Sequence, residues 1–126
     1  MFDISTTLAT GVTLINSYGQ GGFTVAGTRY EGAICVTESE ILPISIASAS
    51  DFGEFLGPFL AGLTPAPEIV IVGTGKAHEF IALSIRKSVK DTYNISLDSM
   101  DTGAACRTFN VLTSEARKVA AILLPI

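Results

Sequence analysis

Tryptophan is absent from this 126-residue chain, histidine occurs once and cysteine twice. These shortages exclude several chemistries at the outset. His78 stands alone, and Cys35 and Cys106 lie at no metal-ligand spacing, so no metal site is expected. Two cysteines are too few for a disulfide framework, and a reducing compartment is the plain reading. Bases are scarce in the first part of the chain. Through residue 72 seven carboxylates face Arg29 alone, a net −6, whereas from residue 73 seven bases outnumber five acids, a net +2. Tracking the phosphates of a nucleic acid needs a basic surface, which argues against general nucleic-acid binding. The second half can still offer a modestly basic face to an acidic ligand or partner. Long apolar runs are also missing, although 48% of the residues are hydrophobic and mean hydropathy is +0.48. The longest clear run, residues 119–124, is closed by Pro125 and falls far short of the roughly 20 residues of a membrane helix. Met1-Phe2-Asp3-Ile4-Ser5 has neither the basic start of a secretion signal nor an Arg-rich transit pattern, so the chain is expected to stay where it is made or to have lost a targeting segment already.

What remains reads as one domain over 1–126, without internal repeat or linker. Its first third is turn-rich β structure. Residues 18–22 form a glycine-rich turn, 23–25 a short strand, and 26–27 a tight connection. Residues 28–30 then lead through Gly32 into 33–36, a spacing that favours hairpins. Residues 41–46 form another short strand interrupted by Pro43. Ser50-Asp51 starts a helix in which Phe52, Phe55, Leu56, Phe59 and Leu60 recur at helical spacing, weakened by Gly53, Gly57 and Pro58. The second half is more regular. Residues 68–72 make a β-branched strand ending in Gly73-Thr74-Gly75, as expected of a strand covered on both faces. A helix follows with Phe80, Ile81, Ile85 and Val89 inward and Arg86, Lys87 and Lys90 outward. Residues 95–100 are the next strand, Asp101 or Thr102 caps a helix running to about residue 112, and 119–124 are the last strand. The order β–α–β–α–β predicts a layered α/β core.

Two loops carry the polar chemistry. Gly73-Thr74-Gly75 sits between strand and helix, where a phosphate loop would lie. A dinucleotide fingerprint would want glycine where His78 stands, and a P-loop would want Ser or Thr where Ala77 follows Lys76. The glycines are better explained by a tight turn. The second loop is the run from Met100 through Asn110, in which a carboxylate, a hydroxyl and a glycine precede a helix bearing Cys106, Arg107, Thr108 and Asn110. A helix start gathers unpaired N–H groups and positive dipole. If the two strands are parallel neighbours, both loops share the carboxyl edge of the sheet, where open α/β sheets form their crevice. A polar ligand- or partner-binding site bounded by Thr74, Gly75, Asp101, Thr102, Arg107 and Asn110 is then expected. The competing reading is an internal hydrogen-bond network, with Arg107 paired to Asp101 or Glu31. Cys106 beside Arg107 has a nucleophile's setting, but a phosphatase-type arginine would stand where Leu112 does. His78 reads as a surface histidine, and Glu115, Arg117 and Lys118 as a solvated turn.

Five segments in order resemble the Mth938-like domain family of unknown function, over nearly the whole chain. They are Gly19-x-Gly21-Gly22-Phe23, Tyr30-Glu31-Gly32, the strand ending in Gly73-Thr74-Gly75, the run from Met100 through Asn110, and Arg117-Lys118-Val119-Ala120-Ala121-x-Leu123. The resemblance implies a three-layer domain with a mixed central sheet and flanking helices, and it allows an antiparallel last strand. It also implies no established enzymatic activity and no cofactor. One mitochondrial branch of the family looks like a respiratory complex I assembly factor acting through protein contacts, and a cytoplasmic animal branch is linked to fat-cell differentiation. Many members carry a tryptophan that this chain lacks, a departure that falls around residues 42–50. The expected function is therefore a non-catalytic interaction protein of a bacterial cytoplasm, linked to complex I assembly, with respiratory complex subunits as partners or with self-association. The alternative is a site for an anionic small molecule, held by Arg107 between the two loops, in a binding protein or an enzyme.

Overall fold

The computed structural model describes residues 2–3, 13–46 and 48–126. The reading made at the N-terminus therefore falls largely outside the described residues, and so does Ala47 of the 42–50 segment. Four strands form an antiparallel sheet in chain order: β1 (Phe2–Asp3), β2 (Ile15–Gly19), β3 (Gly22–Val25) and β4 (Thr28–Glu31). The second sheet has five strands in the order β6-β5-β9-β7-β8. These are β5 (Ile34–Val36), β6 (Ile41–Pro43), β7 (Ile69–Gly73), β8 (Ser96–Met100) and β9 (Val119–Leu123). The helices are α1 (Phe52–Ala61), α2 (Leu83–Tyr93) and α3 (Thr102–Ser114).

The five-stranded sheet is the middle layer because its strands alternate between two apolar cores. Val70, Val72, Ala120 and Ile122 face Phe52, Leu56 and Val89 of α1 and α2. Ile71, Val119, Ala121 and Leu123 face the other way, onto Ala105 and Phe109 of α3 and onto Ile15, Phe23 and Val25 of the hairpin sheet. A strand with period-two side chains buried on both faces has no polar position to spare, which explains the all-apolar β9. α1 survives Pro58 because the lost N–H belongs to an exposed turn, opposite the buried Phe52, Leu56 and Leu60. The α/β class and mixed sheet are as expected.

Four local expectations change. β9 runs parallel to β7 and is antiparallel only to β5. The chain leaves β8, crosses through α3 and re-enters the sheet in its original direction, which is what a helical crossover does. α2 begins at Leu83, not near Phe80. The Thr74 hydroxyl donates to the Ala77 carbonyl at 2.7 Å and accepts from the Glu79 N–H at 3.0 Å, so residues 74–79 are committed to a loop. Phe80 is consequently 84% exposed, while Ile81 next to it turns inward and Val89 is buried as expected. Tyr18 and Gly19 close β2 and do not belong to the turn, because Asn16 and Ser17 mask that strand's apolar pattern. Finally, β6 ends at Pro43, although the Ile44 N–H still donates to the Ala33 carbonyl at 3.1 Å.

Candidate functional site

Parallel pairing of β7 with β8 puts Gly73 opposite Met100, so the two polar loops do leave the sheet side by side. They are then bonded directly to each other. The Thr74 N–H donates to the Met100 carbonyl at 2.9 Å, and the Thr102 N–H to the Gly75 carbonyl at 2.8 Å. The Thr102 hydroxyl accepts from the Gly75 N–H at 2.8 Å and donates to the Leu124 carbonyl at 2.7 Å. Gly75 has φ +98°, a backbone setting that a side chain would strain. Asp101 caps α3, its carboxylate accepting from the Ala104 N–H at 2.9 Å. The three chain segments that end at this edge are therefore joined through one hydroxyl, on a residue with 0% exposure. An anion arriving here would find the Gly75 N–H and the Thr102 hydroxyl already engaged.

Arg107 and Asn110 part company. Asn110 is buried, and its amide brackets the backbone of Ile15: Oδ1 accepts from the N–H and Nδ2 donates to the carbonyl, each at 2.9 Å. It thereby ties β2 to α3. Arg107 is exposed, and its Nη1 donates to the Tyr18 hydroxyl at 3.4 Å. Neither anticipated pairing of Arg107 forms. Among the described residues the ion pairs are Arg29–Glu31 at 2.9 Å and Arg86–Asp98 at 3.8 Å. Glu31 is already engaged by Arg29, whose hydrogen bond and charge hold that carboxyl below its ordinary range. Thus four of the six candidates, Thr74, Gly75, Thr102 and Asn110, bond inward, and Asp101 and Arg107 remain at the surface.

The structure adds neighbours that no spacing indicated. Phe2 stacks on Tyr18 with ring centroids 5.1 Å apart. The Tyr18 hydroxyl lies so close over Gly103 that a Cβ there would stand 2.5 Å from it. Phe2 and Val111, on the two sides of Tyr18 and Arg107, are each 57% exposed. Phe2, Tyr18, Arg107 and Val111 thus form a strip across β1, β2 and α3. Only the i, i+4 relation of Arg107 to Val111 was legible beforehand, and nothing local marked the β2 side.

The remaining chemistry is limited. Burial pushes the Cys106 thiol up to about 12, with Arg107 lowering it and Asp101 raising it. Burial also pushes Cys35 up to about 12, Glu40 adding to the effect. Neither presents a thiolate near neutral pH. His78 is exposed and shares a hydrogen bond of 3.2 Å with Ser99 Oγ. Among the described residues no group of three or more His, Cys, Asp or Glu side chains could hold a metal ion, and no helix is long and apolar enough to cross a membrane. Surface clefts of about 210 Å³ between α1 and α2 and about 400 Å³ along α2 and β8 are lined by none of the six candidates.

The sequence profile of a family described as "protein of unknown function (DUF498/DUF598)" matches residues 15–124. The chain belongs to the DUF498/DUF598 family. Among curated relatives is the zebrafish (Danio rerio) protein named NADH dehydrogenase [ubiquinone] 1 alpha subcomplex assembly factor 3, 36% identical over 118 residues, 93% of this chain and 67% of that protein. The chain spans 60% of the length of the rat (Rattus norvegicus) protein of the same name. A crystal structure of a Bordetella parapertussis protein superposes with a TM-score of 0.82 at 30% identity, covering 94% of this chain and 99% of that one. A Bordetella pertussis solution structure described as a Mth938-like domain shares the fold, with a TM-score of 0.79 at 24% identity over 98% of this chain and 92% of that one. The resemblance read from the five motifs is therefore shown, as is the DUF498/DUF598 fold.

Proposed function

We propose that this chain, acting as a single domain, is a non-catalytic interaction protein that works through a protein partner in the biogenesis of respiratory complex I, in the cytoplasm of a bacterial cell. One observation carries the reading: Arg107, with no carboxylate paired to it among the described residues, bonds the Tyr18 on which Phe2 stacks and lies one helical turn from Val111, and Phe2 and Val111 are each 57% exposed. An arginine among exposed apolar side chains is the mixture that protein interfaces concentrate. The name carried by the zebrafish and rat relatives supplies the partner class. Of the six candidates, Asp101 and Arg107 would touch the partner. Thr74, Gly75, Thr102 and Asn110 would hold the strip in place from behind.

The test is capture of the tagged protein from native cells in mild detergent, beside an Arg107→Glu/Val111→Asp variant. Complex I subunits should accompany the wild type and fall by at least about tenfold with the variant, since interface arginines often contribute 2 kcal/mol or more. Unchanged melting of the variant would separate this loss from misfolding. A wild type that captures no respiratory subunit, yet melts higher with small carboxylates or phosphates, would sink the proposal and favour an anionic ligand at Arg107.

A further inference from the structure

A second surface lies apart from that strip, on the α2 side of the sheet. Phe80 is 84% exposed and Leu83 is 76% exposed, the two most exposed large apolar side chains among the described residues. They do not hang on a loose segment. The Thr74 hydroxyl bonds both Ala77 and Glu79, Ile81 is buried between the two, and Leu83 opens α2. The His78 ring lies against Phe80, with centroids 4.5 Å apart, and is itself exposed. The backbone thus holds two apolar side chains out into water, which is unfavourable unless something covers them.

Charge indicates what covers them. Leu83, Arg86, Lys87 and Lys90 fall at i, i+3, i+4 and i+7, one stripe of α2, and line the shallow cleft of about 400 Å³ beside β8. Lys76, four residues before Phe80 in the loop, is exposed as well. The apolar pair is therefore preceded and followed along the chain by exposed cations, in a chain of net charge −4. The nearby carboxylates are Glu79, Asp91 and Asp98. Asp98 lies 3.8 Å from Arg86, Asp91 follows Lys87 by one turn on the flank of α2, and Glu79 is exposed next to Phe80, so four cations there face three carboxylates. The edge of β8 beside the stripe is not open for strand pairing, because Arg86 Nε donates to the Leu97 carbonyl at 3.2 Å and the Asp98 carboxylate accepts from the Ser99 N–H at 2.9 Å.

We propose that Phe80 and Leu83, with Lys76, Arg86, Lys87 and Lys90, form a docking surface for a bilayer containing anionic lipid. A protruding apolar pair needs a matching pocket in a protein partner, whereas a fluid headgroup layer conforms to it. Cations around an apolar anchor are the two signals that stable peripheral attachment requires. Each cation near an anionic surface is worth about fivefold in partitioning. The proposal stands independently of complex I.

The absence of tryptophan supplies the probe. Phe80→Trp gives the full chain a single indole, read with vesicles of phosphatidylcholine alone and of phosphatidylcholine with phosphatidylglycerol. With the anionic vesicles, the emission should move to the blue and escape an aqueous quencher. Co-sedimentation of the otherwise unchanged chain should fall at least tenfold for Phe80→Ser/Leu83→Ser and for Lys87→Glu/Lys90→Glu. Arg117→Glu/Lys118→Glu, the same charge change made outside the surface, controls for net charge, and retained melting temperature controls for folding. Equal binding to both vesicles, variants that bind like the wild type, or an indole still open to the quencher would overturn the proposal. So would capture of a protein through these residues by a chain that ignores vesicles.

Discussion

Replacing Thr102 by valine keeps the shape of the side chain and removes one hydroxyl, yet it should destabilise the domain by about 2–4 kcal/mol. The hydroxyl accepts from the Gly75 N–H at 2.8 Å and donates to the Leu124 carbonyl at 2.7 Å, in a site with 0% exposure. Both backbone groups lose their partner together, and water has no route to replace it. A buried group left unpaired costs about 1–3 kcal/mol. The sum is held below twice the upper figure because the costs of neighbouring groups that share one partner are not additive. A domain of this size has a total stability of roughly 5–15 kcal/mol, so the loss is a large fraction of it. Urea unfolding read by circular dichroism measures it: the midpoint should fall by about 1–2 M at an unchanged slope, given slopes of about 1–3 kcal/mol/M. Thr102→Ser keeps the hydroxyl and loses a methyl, and should cost about 1 kcal/mol. Valine within about 0.5 kcal/mol of wild type, or serine as damaging as valine, would refute the view that this hydroxyl joins the two loops to the C-terminal strand.

Two further expectations test the same core. Asn110→Ala should cost about 2–4 kcal/mol, because it strips both partners from the Ile15 backbone, and the Ile15 amide should exchange with deuterium much faster than in the wild type. The cysteines give a pH dependence. Both thiols ionise at about 12 in the folded chain against 9.0 without its environment. Between those values the unfolded chain has released protons that the folded chain still holds, so stability should be flat up to about pH 9 and fall as pH rises toward 12. Melting temperatures across that window should drop less for Cys35→Ala/Cys106→Ala, after its own packing loss is subtracted, and native thiols should resist alkylation until the chain unfolds.

The second half of the fold was legible because its signals are local. A β-branched run ending in glycine, an Asp-Thr-Gly cap and a closing apolar run each mark their own element, and β7, β8, α3 and β9 lie within a residue or two of expectation. β2 was missed because Asn16 and Ser17 interrupt its alternation. Asn16 is spent on the Gly27 N–H at 2.8 Å, a contact made across the hairpin. A helical period extends back to Phe80 and predicts it inward, and only the Thr74 hydroxyl, bonding across the loop, stops the helix short. Strand direction in β9 depends on which neighbour it pairs with, which no local pattern encodes. At the candidate site, spacing puts the two loops at one edge of the sheet, where the β7–β8 pairing has them, but it carries no information on which way the side chains turn. Arg107 and Asn110 are three positions apart on one helix, and the deciding fact is where β2 lies.

The carboxyl edge of an open α/β sheet is ordinarily where a crevice forms, because neighbouring loops diverge there. Here they converge instead. Gly75, Thr102 and Leu124 come from three separate elements and share one hydroxyl, and Asp101 uses its carboxylate on the first turn of α3. Groups that would greet an anion in a crevice are consumed in making the edge rigid. Rigidity at this point has a consequence for both proposed surfaces, since each springs from it: α3 carries Arg107 and Val111 away on one side of the sheet, and the 74–82 loop carries Phe80 to α2 on the other. A bonded edge holds them at a constant separation on opposite layers of the domain. That is the property required of a protein that touches a bilayer with one face and a partner with the other, and it is why loss of the Thr102 hydroxyl should weaken both contacts together while Arg107→Glu and Lys87→Glu each weaken one.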